Sequence, residues 1–249
     1  MIVGKEIVKT YGKNQEQSNA LNSVSIQIAD GEFVAVMGPS GCGKSTLLFS
    51  LSGTDNISSG SIQLNHRELS DLKENELADL RCRKMGFIFQ QATMLKNLNL
   101  LDNIILPAVQ RNRRGLNDIT KRARALMQQT GIADLAGRDI TEVSGGQLQR
   151  AGICRALINS PEILFADEPT GALNSKVAEE IMDLLNEINQ NGTAIMLVTH
   201  DAKVAASAGR ILFMKDGEIV AEMVMLKQSD QTMSEKVEMI SKQMREMDI

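Results

Sequence analysis

Apolar and polar positions at the start of the chain predict strands on both sides of a glycine-rich loop. Five consecutive apolar residues, Phe33 to Met37, are typical of a strand that is buried on both faces. The glycines between Gly38 and Gly43 follow this strand, and Ser45 to Ser52 has the pattern of a helix. Further strands are predicted at Ile2 to Lys9, Ser23 to Ile28 and Ser61 to Leu64.

The rest of the chain is mostly helical at first and then alternates strands with helices. We predict helices at Glu74 to Arg83, Asp118 to Thr130 and Gly145 to Asn159, and a strand at Met85 to Phe89. They are followed by strand Ile163 to Ala166, helix Lys176 to Asn189, strand Thr193 to Val198, helix Ala202 to Ala208, and a hairpin through Asp216-Gly217. This alternation predicts an α/β protein with a parallel sheet core and an antiparallel β flank formed by the first strands.

The end of the chain carries a helical stripe of apolar side chains. Thr232 and Glu235 are spaced for a capping box at the start of this helix. We expect the stripe to cover its own domain, because amphipathic helices usually pack against the domain that carries them; docking on a partner chain is the alternative. The stripe consists of Met233, Val237, Ile240, Met244 and Met247.

Composition excludes several classes of protein. The 249 residues are 43% hydrophobic with a net charge of −4, which excludes full-length disorder and disfavours a generally basic nucleic-acid binder. No apolar run approaches the roughly 20 residues of a membrane-spanning helix, and no secretory signal is evident at the start. Three dispersed cysteines and two histidines make a disulfide scaffold or a zinc site improbable, which fits a reducing cytoplasm.

The loop from Gly38 to Ser45, Gly-Pro-Ser-Gly-Cys-Gly-Lys-Ser, fits the phosphate-loop pattern GxxxxGK[ST] and lies between a predicted strand and a predicted helix. Its glycines allow backbone N–H groups to surround phosphates, and the helix N-terminus favours negative charge. Lys44 would neutralise the β- and γ-phosphates, and Ser45 would bind Mg²⁺. These residues predict a nucleoside triphosphate site.

Two further segments carry chemistry that fits such a site. The apolar strand from Ile163 ends in Asp167 and Glu168, which separates a carboxylate for Mg²⁺ from one that acts on an attacking water. Ser144-Gly145-Gly146-Gln147 precedes a helix, so Ser144 can cap it while the glycines expose N–H groups to an anion.

Together these motifs resemble the ATP-binding subunits of ABC transporters over nearly the whole chain. In that family the signature motif is seen here as Val143-Ser-Gly-Gly-Gln-Leu-Gln-Arg150. Gln90 resembles the Q-loop glutamine, His200 the switch histidine, and Tyr11 the aromatic residue that stacks on adenine. The resemblance implies a P-loop NTPase (RecA-like) fold with a parallel sheet core, an antiparallel β flank and an inserted α-helical subdomain.

The resemblance also implies a role for each site residue, with ATP and Mg²⁺ as cofactors and ATP hydrolysis as the activity. The implied catalytic residues are Lys44, Glu168 and His200, and the implied metal ligands are Ser45, Gln90 and Asp167. The implied nucleotide-binding residues are Tyr11, Gly38, Pro39, Ser40, Gly41, Cys42, Gly43, Lys44, Ser45, Thr46, Gln90, Ser144, Gly145, Gly146 and Gln147.

The family's assembly implies how such a chain works. The signature of one copy covers the phosphate loop of another, so two ATP molecules are sandwiched in a homodimer or in a dimer with a related cassette. ATP closes this dimer and hydrolysis opens it. A permease encoded on a separate chain would receive the movement, with a hinge near Gln90. The expected location is therefore the cytoplasm, at the inner face of the membrane, with no nucleic-acid partner.

We expect a single ATP-binding domain over residues 1–229, with the helical subdomain inserted at about 91–160, and a C-terminal amphipathic helix at 230–249. Phe165 to Gly171, together with Gly86 to Gln90, resembles the subgroup that serves macrolide export, lipoprotein release and bacitracin-type peptide resistance. The run from Gly171 to Ser175 and the added C-terminal helix favour export of antimicrobial peptides or similar amphipathic compounds. Lipoprotein release and cell division remain alternatives, and a soluble ABC ATPase acting on DNA or translation is a different class.

Two features depart from a plain family pattern. Asn174 stands where the family commonly has Asp, so we expect competent hydrolysis with altered communication between the two nucleotide sites. Residues 111–124 carry six cationic side chains against Asp118 alone, which fits either contact with anionic lipid or an acidic permease loop, or a solvated helix face. The solvated face is favoured. The six cations are Arg111, Arg113, Arg114, Lys121, Arg122 and Arg124.

Overall fold

The computed structural model of the protein describes residues 2–12, 18–111, 113–225 and 232–249, without the side chains of Arg111 and Arg113. The chain forms two compact units. The first unit contains the residues up to Leu77 and those from Ala194 onward, and the second contains residues 78–193. In the described ranges, no helix has the length and apolar character needed to cross a membrane.

The elements follow one another in an order that starts and finishes in the first unit. The chain begins with β1 (Ile2–Tyr11), β2 (Ser18–Ile28), β3 (Phe33–Met37), α1 (Lys44–Leu51), β4 (Ser59–Leu64), β5 (Arg67–Glu68) and α2 (Glu74–Lys84). The second unit continues with β6 (Met85–Phe89), α3 (Leu100–Arg111), α4 (Leu116–Gln129), α5 (Gly145–Leu157), β7 (Ile163–Asp167) and α6 (Ser175–Gln190). The last elements are β8 (Ala194–Thr199), α7 (Ala202–Ala205), β9 (Arg210–Lys215), β10 (Glu218–Val224) and α8 (Met233–Glu246).

The first unit combines an antiparallel sheet with parallel strands. The antiparallel sheet has the order β2-β1-β4-β5. Strand β3 pairs in parallel with β8 on one side and β9 on the other, and β10 pairs antiparallel with β9. All residues of β3 and β8 are buried, as expected for apolar strands that are covered on both faces. Met37 lies opposite Thr199, so β3 and β8 end at the same edge.

The second unit is built on one parallel strand pair and a helical core. β6 pairs in parallel with β7, and Phe89 lies opposite Asp167 at the carboxyl end. Helices α3, α4 and α5 pack against one another. Buried apolar residues of this core include Leu100, Ile104, Ala123, Met127, Ile132, Ala151 and Cys154.

Helix α8 packs within the first unit. Thr232 Oγ1 accepts from Glu235 N at 3.3 Å, and the Glu235 side chain accepts from Thr232 N at 2.6 Å, so the capping box is formed. Ile240 is fully buried, α8 contacts α7, and Lys215 Nζ donates to Met247 O at 2.9 Å. The central part of the apolar stripe therefore covers its own unit, whereas Met233 remains exposed.

Candidate nucleotide-binding site

The phosphate loop places the Lys44 ammonium at its centre. Lys44 is buried at the first position of α1, and its Nζ donates to the carbonyls of Gly38 and Pro39, both at 2.8 Å. Pro39, Ser40 and the next glycine are exposed. The two hydrogen bonds hold the positive charge of Lys44 inside a solvent-accessible loop, at the N-terminus of α1. This arrangement suits a phosphate group.

Two glycines of this loop are required by close backbone approaches. A Cβ on Gly38 would lie 2.2 Å from Met214 O, and a Cβ on Gly43 would lie 2.3 Å from Ala20 O. Gly43 also has a φ of 103°, in the region that L side chains rarely adopt. The loop thus packs against strands β2 and β9, and any larger residue at these positions would displace it.

His200 lies at the same sheet edge as the phosphate loop. It follows Thr199, the partner of Met37 in the β3–β8 register, and its side chain is exposed. The structure therefore brings this predicted site residue near the start of the loop, within the first unit.

Tyr11 ends β1 with 45% of its surface exposed. Its hydroxyl donates to Asp55 Oδ2 and shares a hydrogen bond with the side chain of Thr46, the residue after Ser45. The Lys9 ammonium lies 4.7 Å from the centre of its ring. The predicted adenine-stacking residue is thus linked directly to the start of α1.

The second unit brings Gln90 and the two carboxylates together. Because Phe89 and Asp167 are partners in the β6–β7 register, Gln90 and Glu168 leave adjacent strands at the same end. A Cβ built on Gly171 would lie only 2.9 Å from Gln90 Nε2, so the Gln90 side chain crosses the turn that follows Glu168. Glu168 has a φ of 48°, a left-handed conformation that is uncommon outside glycine and occurs often at functional sites.

Ser144 caps α5 in the geometry that its sequence predicts. Ser144 Oγ accepts from Gln147 N at 3.3 Å, and Ser144 N donates to Gln147 Oε1 at 2.8 Å. Ser144 and Gly145 are exposed, so this helix N-terminus faces solvent. Gly146 is needed for packing, because a Cβ there would lie 2.6 Å from Val177 Cγ1. The Gln147 oxygen is used by the capping box.

Gln149 is a residue that sequence reasoning did not single out. It is only 3% exposed, and its Nε2 donates to Phe89 O at 3.0 Å and to Pro169 O at 2.7 Å. Phe89 immediately precedes Gln90, and Pro169 immediately follows Glu168. The amide therefore fixes helix α5 to the backbone beside two predicted site residues, a contact between distant segments that no local sequence pattern reveals.

The segment after Gln90 is attached to the helical core at two points. Arg155 donates to Thr93 O at 2.5 Å. Asn103, which is almost fully buried, accepts from Leu95 N at 2.7 Å and donates to Leu95 O and Leu98 O. A hinge at Gln90 would therefore lie immediately before an anchored segment.

Asn174 is the N-cap of α6, and its Oδ1 accepts from Val177 N at 3.0 Å. Asn and Asp cap helices about equally well. The replacement of the family's Asp therefore keeps the structural contact and removes the charge.

The cationic segment is partly structural. Arg122 donates through Nε and a terminal nitrogen to Ile158 O and Leu157 O, at 2.8 and 3.0 Å, and thus covers the carbonyl end of α5. The side chains of Arg111 and Arg113 lie outside the described part of the chain. At least one of the six cations is accordingly used within the second unit.

Comparison with known proteins agrees with this set of motifs. Residues 21–171 match the family model of the ABC transporter. An ABC transporter ATP-binding protein of Methanocaldococcus jannaschii, MJ1508, is 42% identical over 220 residues, covering 88% of this chain and 98% of the relative. The macrolide export ATP-binding/permease protein MacB of Aggregatibacter actinomycetemcomitans is 39% identical over 88% of this chain. This chain spans about a third, 34%, of MacB.

A solved structure is similar over most of the chain. The dimeric post-hydrolysis structure of the ATP-binding cassette MJ0796, bound to ADP and Pi, has a TM-score of 0.83 and 39% identity, covering 90% of this chain and 98% of that one. The predicted α/β, P-loop NTPase fold class is confirmed by this similarity. The chain therefore belongs to the ABC transporter family, as one of its ATP-hydrolysing nucleotide-binding cassettes.

Proposed function

We propose that this chain binds ATP in the phosphate loop and supplies the free energy of its hydrolysis to a membrane transporter. The observation that carries the proposal is the loop geometry: Lys44 is fixed by the carbonyls of Gly38 and Pro39 at the start of α1. A fixed ammonium beside the N–H groups of a helix N-terminus suits the β- and γ-phosphates of ATP. We propose that the other nucleotide-binding residues are Ser40 to Gly43 of the loop and Thr46 in the first turn of α1.

Mg²⁺ is proposed to bind with the nucleotide through Ser45, Gln90 and Asp167. A hydroxyl, a carboxamide oxygen and a carboxylate are the hard oxygen ligands that Mg²⁺ prefers. When bound, the ion neutralises charge on the β- and γ-phosphates.

Glu168 and His200 are the proposed catalytic side chains besides Lys44. The Glu168 carboxylate would orient the attacking water and accept its proton, and its backbone departs from the extended conformation of β7 with a φ of 48°. His200, exposed at the edge where β3 and β8 end, would hydrogen-bond the γ-phosphate.

We propose that two copies, or one copy and a related cassette, sandwich two ATP molecules. The exposed helix N-terminus at Ser144 and Gly145 would bind the γ-phosphate held by the phosphate loop of the partner. The dimeric cassette structures of MJ0796 support this arrangement. Because the γ-phosphate bridges the two copies, hydrolysis would release the dimer.

The proposed partner is a permease on a separate chain, reached through the segment around Gln90. MacB, named as a macrolide export ATP-binding/permease protein, supports an exporter. We propose antimicrobial peptides or similar amphipathic compounds as cargo, with lipoprotein release or a cell-division role as the alternative. Co-purification of a permease with a large extracellular domain would favour peptide resistance or macrolide export. The location proposed for the chain is the cytoplasmic face of the membrane, reached through its permease.

A mixing experiment tests the sandwich. Lys44→Ala disables the phosphate loop and Ser144→Arg blocks the signature, so each variant alone should lack ATPase activity. In an equimolar mixture, half of random dimers pair the two variants, and each such pair contains one intact composite site. We expect the mixture to recover up to about a quarter of wild-type activity. A mixture as inactive as its components would contradict a site built from two copies.

A further inference from the structure

A compact polar cluster surrounds the Tyr11 side chain. Lys9 Nζ donates to Asp55 Oδ1 and to Asn56 O, both at 2.5 Å, and lies 4.7 Å from the centre of the Tyr11 ring. The Tyr11 hydroxyl donates to the other carboxylate oxygen of Asp55. The Thr46 side chain hydrogen-bonds the same hydroxyl. One carboxylate thus connects the cation under the ring to the hydroxyl at its tip.

The protonation states match these contacts. Burial and the hydrogen bond to Asp55 raise the pKa of Tyr11, so the phenol stays protonated and remains a donor. Burial alone would raise the pKa of Asp55, but the hydrogen bonds from Lys9 and Tyr11 outweigh it and lower that pKa below 3.8. Asp55 is therefore a carboxylate at neutral pH, and the cluster is a charge-assisted network.

The cluster restricts how a base can approach the ring. Lys9 is only 8% exposed and covers one face of the ring, whereas Tyr11 as a whole is 45% exposed. A planar base would therefore stack on the opposite face. Since the ring is already fixed at its hydroxyl and on one face, stacking of a base would cost little additional side-chain entropy, which favours affinity.

We infer that Lys9 and Asp55 are positioning residues that fix the Tyr11 ring for stacking on the adenine base. The inference rests on the proposed function, which assigns the base to Tyr11. The Thr46 hydrogen bond also links the ring to the first turn of α1, the helix that follows the phosphate loop. Neither Lys9 nor Asp55 carries a motif that would identify it from sequence.

The chain offers a direct probe, because Tyr11 is its single tyrosine and it has no tryptophan. Calorimetry with MgADP and with Mg-pyrophosphate separates binding of the base from binding of the phosphates. The fluorescence emission of Tyr11 reports a change in the surroundings of its ring. We expect MgADP to change the emission and Mg-pyrophosphate to leave it unchanged. Asp55→Asn and Lys9→Met should each weaken MgADP binding about 5-fold without changing pyrophosphate affinity. Lys5→Met, an exposed position on the same strand, is the matched control.

A double-mutant cycle isolates the positioning role. If Asp55 acts through Tyr11, Asp55→Asn should have no further effect on MgADP affinity once Tyr11→Ala has removed the ring. An equal loss in both backgrounds would overturn the inference, as would an unchanged MgADP affinity in Asp55→Asn and Lys9→Met. If both ligands bind but the emission does not respond to MgADP, the inference fails while the phosphate site stands. If neither ligand binds, the nucleotide site itself is contradicted.

Discussion

The Gln149 side chain shows how one buried amide can hold the backbone beside two predicted site residues without being one of them. Its two donated hydrogen bonds reach the backbone on either side of the candidate site in the second unit, at Phe89 and Pro169. Losing them would leave two carbonyls without these donors in an environment with little access to water, and would loosen the positions of Gln90 and Glu168 together.

We predict that Gln149→Leu lowers the free energy of unfolding by about 2 kcal/mol and reduces kcat for ATP more than it raises KM. Gln129→Leu, at an exposed glutamine of α4, is the control and should change stability by less than about 0.5 kcal/mol. Chemical denaturation and steady-state ATPase assays measure both effects. Equal behaviour of the two variants would argue against the bridging role.

The contact between Gly171 and Gln90 gives a second prediction at the scale of a single residue. A Cβ at position 171 would lie 2.9 Å from Gln90 Nε2, so Gly171→Ala must displace the Gln90 carboxamide. We expect stability to change by no more than about 1 kcal/mol, because the φ of Gly171 is not left-handed. The Mg²⁺ concentration for half-maximal ATPase activity should rise about 10-fold, since a proposed metal ligand has moved.

Gly137→Ala is the matched control for this test, because a Cβ at Gly137 would have no atom within 4 Å and its φ is also not left-handed. The control should keep the wild-type Mg²⁺ dependence. If Gly171→Ala keeps it as well, Gln90 does not bind the ion in the way proposed.

At the scale of elements, sequence patterns predicted the strands that support the site better than the helices around it. β3 and β6 have the predicted bounds, because an apolar run between polar turns leaves little freedom in where the strand begins and ends. α3 was not predicted, since Pro107 lies inside it and proline normally disfavours a helix interior. The predicted helix at Ala202 to Ala208 ends earlier, at Ala205. Tertiary packing decides whether α3 forms and where α7 ends, and a local sequence pattern carries no information about that packing.

The capping box of α8 makes this helix sensitive to acid. Hydrogen bonds from the backbone N–H and hydroxyl of Thr232 lower the pKa of Glu235 from its ordinary value of 4.5. A group with a lowered folded pKa stabilises the fold above the ordinary pKa, and this contribution is lost as pH falls through the lowered value. We therefore predict that the first turn of α8 loses helical structure on acidification below pH 4.5.

Residue-resolved amide exchange or NMR chemical shifts would measure this change. In Glu235→Gln the amide can still accept the Thr232 N–H but does not titrate, so the pH dependence at the start of α8 should disappear. Glu238→Gln, at an exposed position of the same helix, should retain it. A wild-type profile that matches Glu235→Gln would exclude the capping carboxylate as its cause.

At the scale of the whole molecule, the predicted site residues are divided between the two units. The first unit carries Tyr11, the phosphate loop and His200, and the second carries Gln90, the signature from Ser144, Asp167 and Glu168. The order of the motifs was enough to predict these site residues and the family. The contacts of Lys9, Asp55 and Gln149 were not predictable, because they join segments far apart in sequence through side chains that belong to no motif.

The exposed N-terminus of α5 leads to a prediction about assembly. If the γ-phosphate bridges the phosphate loop of one copy and Ser144 of another, the dimer should depend on that phosphate and persist when hydrolysis is blocked. Glu168→Gln removes the carboxylate proposed to accept the proton from water, so this variant should form a dimer in MgATP and remain a single chain in MgADP, as measured by light scattering. Adding Ser144→Arg to Glu168→Gln should abolish the dimer, because a bulky cation then occupies the capping position, while ATP binding at the loop persists. A dimer that forms equally in MgADP, or that survives Ser144→Arg, would mean that the contact between copies lies elsewhere and that the γ-phosphate does not control it.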